Sequence, residues 1–399
     1  MRILSIGQNY YVAGGMVRVM FDQARILTER GHEVVPFTAA DTADESSEWA
    51  VHFPTAARTD ATTLVELPKV LWRPGAARAL RNLMAAEAFD IVHIHSWYKR
   101  LSPAILPVLR DAGVPVVQTL HDYRTVCSRS TMVREGVICR ECAGGKNMPA
   151  LRYRCNGSLA KTLASVAEMK IADLAGYREI VRRFLPVSTF QRDLLQQMGV
   201  PEEQMCTLPN PVAIPDRPAP PPMANAPVLF AGRLESYKGA HIFAALARLR
   251  PDTAFVMAGD GSEHAAIAAD APANLRMLGQ LDQDALAIEI ARAACVVVPS
   301  FAPETFGLSA AEALAAGRSV VASRIGGLIE IVRDGIDGLL VEPGDVSGFA
   351  AAVDHIIADP ERARIMGMAG RSRIASLFSE DRYCDRVMEI YHEVLKEAS

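Results

Sequence analysis

Phe301-Ala302-Pro303-Glu304-Thr305-Phe306-Gly307-Leu308-Ser309-Ala310-Ala311-Glu312-Ala313 follows a β-branched apolar run at 296–299 and opens an apolar helical pattern over 309–316. The stretch reads as a strand–loop–helix junction carrying two carboxylates eight residues apart. Glu304 falls in the loop. Glu312 falls inside the apolar helical pattern, where a lone acid is costly unless paired. A helix start leaves its first N–H groups without intrahelical partners, so the backbone from Thr305 to Leu308 offers donors to phosphate or hydroxyl oxygens. A carboxylate at Glu312 can accept two hydrogen bonds from a ribose diol. An ion-paired structural glutamate is the bland alternative.

Upstream, an apolar run at 228–231 leads into Gly232-Arg233-Leu234-Glu235-Ser236-Tyr237-Lys238-Gly239 and a helical pattern at 240–249. Two cations five residues apart on such a loop can clamp a diphosphate, arginine as a fork and lysine as a point charge. The same alternation fills the rest of this half. Strands are expected at 254–257, 275–278, 319–323 and 338–341, and closing helices at 346–358, 360–377 and 380–397. Before residue 212, strands are expected at 2–6, 33–38, 91–95, 114–120 and 184–187, with helices between. Apolar strands alternating with helices indicate parallel sheets covered on both faces. The proline-dense stretch 209–222 interrupts the pattern, since proline fixes φ and removes a backbone donor. The expected organisation is a Rossmann-like domain at 1–212, an extended linker at 213–226 and a second such domain at 227–379. A final helix follows at 380–399.

The chain has 399 residues, half of them hydrophobic, with 22% charged and a net charge of −4. That composition excludes disorder, collagen and coiled coil as whole-chain answers. No window of 18 apolar residues suggests a transmembrane helix, and Met1–Gly7 turns polar too soon for a signal peptide. Seven cysteines fit a reducing cytosol rather than a disulfide scaffold. Charge is uneven: residues 1–212 carry +4, residues 213–399 carry −8, and residues 124–183 carry +7. A basic segment is either a solvated face or an attraction for an anionic acceptor or membrane surface. The cations concerned include Arg152, Arg154, Lys161, Arg178, Arg182 and Arg183.

Together these residues resemble glycosyltransferase family 4, the retaining, nucleotide-sugar-dependent enzymes of GT-B fold. Glu304 and Glu312 look like the family's E-x7-E signature, and Gly232-Arg233…Lys238-Gly239 looks like its GR-x4-KG segment. Val321-Ala322-Ser323…Gly326-Gly327-Leu328-Ile329-Glu330 and Asp334–Asp345 resemble the turns that follow. Gly14-Gly15 and Leu120-His121 stand where the family's amino-terminal domain has them. The resemblance implies two Rossmann-like doubly wound domains facing each other across a cleft, with the last helix crossing back to the first domain near Ser379. It implies that Glu312 holds the nucleotide ribose, and that Arg233 and Lys238 neutralise the departing diphosphate. Glu304 and the backbone of Thr305, Phe306, Gly307 and Leu308 would hold donor sugar and phosphate. Gly14 and Gly15 would approach the diphosphate, and His121 the donor sugar. His121, Glu304, Arg233 and Lys238 are thus the expected catalytic group. The implied activity is hexosyl transfer to a glycan or lipid-linked acceptor in polysaccharide or glycoconjugate biosynthesis. The implied place is the cytoplasm, peripheral to the inner face of the membrane, with no nucleic-acid partner. A GT-B enzyme of another reaction, such as a nucleotide-sugar epimerase, and a silent nucleotide-sugar-binding module are the alternatives.

The family also implies transfer without a catalytic metal. Asp282-Gln283-Asp284 is formally a DxD, but its place before an apolar helical pattern makes Asp282 an N-cap. Cys127, Cys139, Cys142 and Cys155 fall within 29 residues of a segment poor in apolar side chains. A structural zinc held by four thiolates would order that segment; four reduced, unconnected thiols are the other reading.

Overall fold

The apolar runs become the strands of two separate parallel sheets. The computed structural model describes residues 1–12, 14–55, 71–223 and 225–398. One unit comprises Met1–Arg134, Cys139–Pro209 and the residues from Tyr383; the other comprises Glu135–Ile138 and Asn210–Arg382. No helix among the described residues is long and apolar enough to cross a membrane.

In the first unit five strands, β1 (Arg2–Ile6), β2 (Glu33–Phe37), β3 (Ile91–Ile94), β4 (Val116–Leu120) and β5 (Val181–Pro186), pair in the order β2-β1-β3-β4-β5. Every pairing is parallel. Ile3, Ile91, Val117 and Leu185 bury one face against Ile26 and Leu27 of the helix Gly15–Glu29 and against the final helix, Glu380–Ala398. That final helix contributes Tyr383, Val387, Ile390, Tyr391 and Val394 to the core. Their spacing of three and four places all five on one stripe.

The second unit has six strands, β6 (Val228–Ala231), β7 (Phe255–Ala258), β8 (Leu275–Gly279), β9 (Cys295–Val298), β10 (Val320–Ser323) and β11 (Gly338–Val341). Their order is β8-β7-β6-β9-β10-β11. The chain starts at β6, builds outward to β8, then returns to β9 on the other side of β6. The loops leaving β6 and β9 therefore stand side by side at the sheet's carboxyl edge, at the point where the strand order reverses and open α/β sheets bind ligands.

The proline-rich stretch, expected as a semi-rigid, extended linker, is tied down along its length. Val212 bridges Ser379 and donates to the Phe378 carbonyl, which joins the stretch to the second unit from its first residues. Ala219 N donates to the Ala316 carbonyl at 2.8 Å. Arg318 reaches the Pro220 carbonyl and Arg371 the Pro215 carbonyl. Proline lacks a donor but keeps its acceptor, so the stretch becomes a strap held by arginines. The units consequently change at 209 and 383 rather than at 212 and 380.

Asp282 caps the helix Gln283–Arg292, accepting from Ala285 N at 2.8 Å. The cysteine-bearing segment is held by a buried ion pair. Arg124 meets Glu168 at 2.5 Å with both side chains almost fully enclosed, and Glu168 also accepts from Lys99 N at 2.6 Å. Arg124 donates further to the Ser128 carbonyl at 2.5 Å. Such a pair is poor at adding stability but very costly to break, so it fixes the segment's path.

Candidate active site

The β6 and β9 loops meet around one carboxylate. Lys238 Nζ donates to both oxygens of Glu304, at 2.8 and 2.7 Å, and Ser300 Oγ donates to Oε1 at 2.6 Å. Burial alone pushes the Glu304 carboxyl up. Lys238, then Ser300 and Arg233, outweigh it and hold the group below its ordinary range. Arg233 is exposed on the same loop; its guanidinium donates to Tyr237 Oη and lies 5.7 Å from that ring's centre.

Two glycines make this closeness possible. Gly239 has φ of +76°, and a Cβ there would stand 2.0 Å from the Pro299 carbonyl oxygen. Gly326 has φ of +63°, and a Cβ there would stand 2.4 Å from Glu304 N and 2.5 Å from Glu304 O. Any other residue would push the β10 loop off the backbone that carries Glu304. Gly327 N then donates to the Glu304 carbonyl at 2.7 Å.

Past Glu304, Thr305 is half-buried and Phe306 is buried edge-on against Phe378, with ring centres 5.4 Å apart. Gly307, with φ of +106°, caps the helix Leu308–Ala315. Glu312 sits half-buried within that helix. The second unit thus unites Arg233, Lys238, Glu304, Thr305, Phe306, Gly307, Leu308 and Glu312 on two adjoining loops and one helix. Lys238, expected to meet a diphosphate, is here engaged by Glu304.

The first unit has its own small pocket beside β3 and β4, lined among others by Met16, His95, Ser96, Gln118, His121 and Asp122. Gly14 and Gly15 open the helix Gly15–Glu29, which delivers Met16 to that pocket. Gln191 clamps the turn bearing His121, donating to the Leu120 carbonyl at 2.9 Å and the Asp122 carbonyl at 3.1 Å. His121 Nε2 lies 3.0 Å from His95 Nδ1, and the two rings stack at 5.3 Å. Burial lowers the His121 imidazole to about 3.

The four clustered cysteines are open to two readings, a structural zinc or four reduced thiols. Among the described residues, no group of three or more His, Cys, Asp or Glu stands where it could hold a metal ion. All four are half-buried thiols. Cys142 is pushed up to about 11 by burial first and then by Cys127.

Behind His95, Gln23 Oε1 lies 2.7 Å from its Nε2 and the His93 ring stacks on it at 4.6 Å; Gln23 Nε2 also donates to Tyr383 Oη at 2.7 Å, and His93 Nδ1 lies 2.6 Å from Tyr391 Oη. Sequence reasoning overlooked Ser300, Gln191, Gln23, His93 and His95. A signal existed for two of them: Ile91-Val92-His93-Ile94-His95 places both histidines on one face of an apolar strand.

The chain matches the family model described as "Glycosyl transferases group 1" over residues 217–373. It matches "Glycosyl transferase 4-like domain" over residues 14–211. The alpha-maltose-1-phosphate synthase of Mycolicibacterium smegmatis is 30% identical over 353 residues, 80% of this chain and 85% of that one. The sucrose-phosphate synthase of Thermosynechococcus elongatus superposes with a TM-score of 0.73 at 23% identity, covering all of both chains. Anabaena HepE in complex with UDP-glucose superposes at 0.67 with 17% identity, covering 98% of this chain and 100% of that one.

Proposed function

This chain belongs to the group 1 glycosyl transferases, enzymes of GT-B fold, and from that premise we propose a retaining hexosyltransferase that uses a nucleoside diphosphate sugar. The acceptor is a glycan or lipid-linked saccharide, and the pathway is polysaccharide or glycoconjugate biosynthesis. The observation that carries this reading is the Glu304 carboxylate held by Lys238 and Ser300 beside Arg233.

A departing diphosphate develops negative charge as the glycosyl–oxygen bond breaks, and the electron pair goes to the phosphate oxygen. Lys238 and Arg233 stand preorganised to receive that charge. The acceptor hydroxyl then bonds to the anomeric carbon from the same face, and its proton passes to the leaving phosphate oxygen. Glu304 and Glu312 are not an acid/base pair in this scheme: Glu304 holds Lys238 and the donor sugar, and Glu312 holds the ribose. A UDP-hexose is the first donor to try, because HepE has been crystallised with UDP-glucose. Transfer is proposed to need no catalytic metal, since Arg233 and Lys238 supply the counter-charge and Asp282 is engaged as a helix cap.

Residues 124–183 are proposed to dock an anionic or lipid-linked acceptor at a membrane surface. Leu159, Leu163 and Leu174 stand 52, 48 and 88% exposed along one helix, interleaved with Lys161 and Lys170. Each cation near such a surface is worth about 1 kcal/mol. Neutralising Arg152, Arg154, Lys161, Arg178, Arg182 and Arg183 should abolish low-salt sedimentation with anionic vesicles. A native protein that ignores those vesicles would remove the proposal.

The decisive experiment incubates the protein with labelled UDP-, GDP- and ADP-hexoses and candidate acceptors. A glycosylated product with the donor's anomeric configuration supports the proposal. Inverted product refutes retention, an altered donor sugar points to epimerase chemistry, and binding with no turnover points to a silent module.

A further inference from the structure

The turn that carries His121 lies outside regular structure, so other groups must hold it. β4 ends at Leu120, and β5, its parallel neighbour, ends opposite it at Pro186. From Val187 the chain enters the helix Thr189–Gln197. Ser188 caps that helix, its hydroxyl accepting from Gln191 N at 3.1 Å. The Gln191 side chain is completely buried. Its Oε1 accepts from Val187 N at 2.8 Å. Its Nε2 donates to the Leu120 carbonyl at 2.9 Å and to the Asp122 carbonyl at 3.1 Å.

These partners admit one orientation of the amide. A backbone N–H only donates, so Val187 faces the oxygen. Carbonyls only accept, so Leu120 and Asp122 face the nitrogen. The amide thus stands between the two strand ends as a further peptide group would. Both of its N–H donors are committed to the residues on either side of His121. A glutamate of the same length would keep the bond from Val187 but turn an oxygen toward two carbonyl oxygens.

We propose that Gln191 is a positioning residue for transfer: its amide fixes the backbone of His121, and through it the reach of the His121 ring toward the donor sugar. This inference rests on the reading of His121 as a donor-sugar contact. The two donated bonds bracket that one residue. His121 and Asp122 both line the pocket beside β3 and β4, so the clamped turn is part of the pocket's wall. Leu194 and Leu195 already give the same helix buried apolar residues, so its packing does not call for an amide at 191. A buried amide is costly unless bonded, and here its bonds go to the turn.

The test uses full-length protein carrying Gln191→Glu, His121→Ala or both, each shown to fold by circular dichroism. Gln191→Glu should lower kcat about tenfold, within the roughly 100-fold that a displacement of about 1 Å can cost. The Kd of the sugar-free nucleoside diphosphate should stay unchanged, because His121 is read as meeting only the sugar. In the His121→Ala background the same substitution should cost less than about twofold more, since the residue it acts through is gone. Gln191→Asn, which draws the amide back by one methylene, carries the same expectations and stands in if Gln191→Glu does not fold. Additive losses in the double variant overturn the inference, because Gln191 then acts through something other than His121. A native kcat in folded Gln191→Glu beside a slow His121→Ala overturns the inference alone. A native rate in His121→Ala overturns the donor-contact reading and the inference with it.

Discussion

Acidification from pH 7.5 to 5.5 should strip stability from the amino-terminal unit at a rate set by its buried histidines. His93 and His121 fall to about 3 by burial, and His95 falls well below its ordinary value for the same reason. Each is neutral in the folded unit and takes up a proton near pH 6.5 once unfolded. The unfolded chain therefore binds more protons, and stability is lost as pH drops through 6.5, continuing down toward 3. One such group loses about 1.4 kcal/mol between pH 7.5 and 5.5, so three lose about 4 kcal/mol. Against typical stabilities of about 5–15 kcal/mol this is a large fraction. Carboxylates with ordinary values near 4 contribute little in that window. The assay is urea unfolding followed by tryptophan fluorescence. Trp49, Trp72 and Trp97 are the chain's three tryptophans and all lie in the amino-terminal unit, so the signal reports that unit alone. The expected uptake is about three protons per unfolding event below pH 6. Uptake below one proton would refute the neutral, buried histidines and the hydrogen-bond chain built on them.

Glu312→Ala should raise the donor KM with kcat little changed, because ribose contacts are equal in ground and transition states. Lys238→Ala and Arg233→Ala should instead lower kcat, by about 100-fold for a group that meets developing charge; steady-state kinetics separates the patterns. Gly326→Ala should cost roughly 1–2 kcal/mol from its left-handed backbone alone. It should also slow transfer, since its Cβ would stand 2.4 Å from Glu304 N; thermal melts and kinetics check both. Native Ellman titration should leave Cys295 and Cys384 unreacted, both being buried and Cys295 raised to about 12. Cys127, Cys139, Cys142 and Cys155 should react if they are reduced thiols; four silent thiols with one equivalent of zinc released by mercurial would show the metal site instead.

The parts of the fold written in local pattern were legible. Strand runs, the Asp282 cap and the two cation-bearing loops needed only neighbours in sequence. The carboxylate centre was half legible: Glu304 and Lys238 stood out, but Ser300 did not, because a serine after a strand has no pattern of its own. The histidine chain was closed to inspection for a different reason. Its fixed ends, Tyr391 and Tyr383, lie 298 and 360 residues from His93 and Gln23. The proline stretch was legible as a break, because lost donors are visible in a sequence, whereas the carbonyls that Arg318 and Arg371 hold are not. The cysteine segment left two readings open, and the buried ion pair that ties it down, Arg124 with Glu168, joins residues 44 apart and has no local pattern.

The final helix also sets a timetable for synthesis. Domains are generally completed as they emerge, the first-made before the second. Here Tyr383, Val387, Ile390, Tyr391 and Val394 belong to the core of the first-made unit. They leave the ribosome only after the whole of the second unit. Until then β1, β3 and β4 keep an apolar face uncovered. The half of the protein translated first is the last to close, and the second unit matures beside an unfinished neighbour. A nascent chain stalled before residue 383 should carry a folded carboxyl-terminal unit and an amino-terminal unit still open to chaperones and proteases.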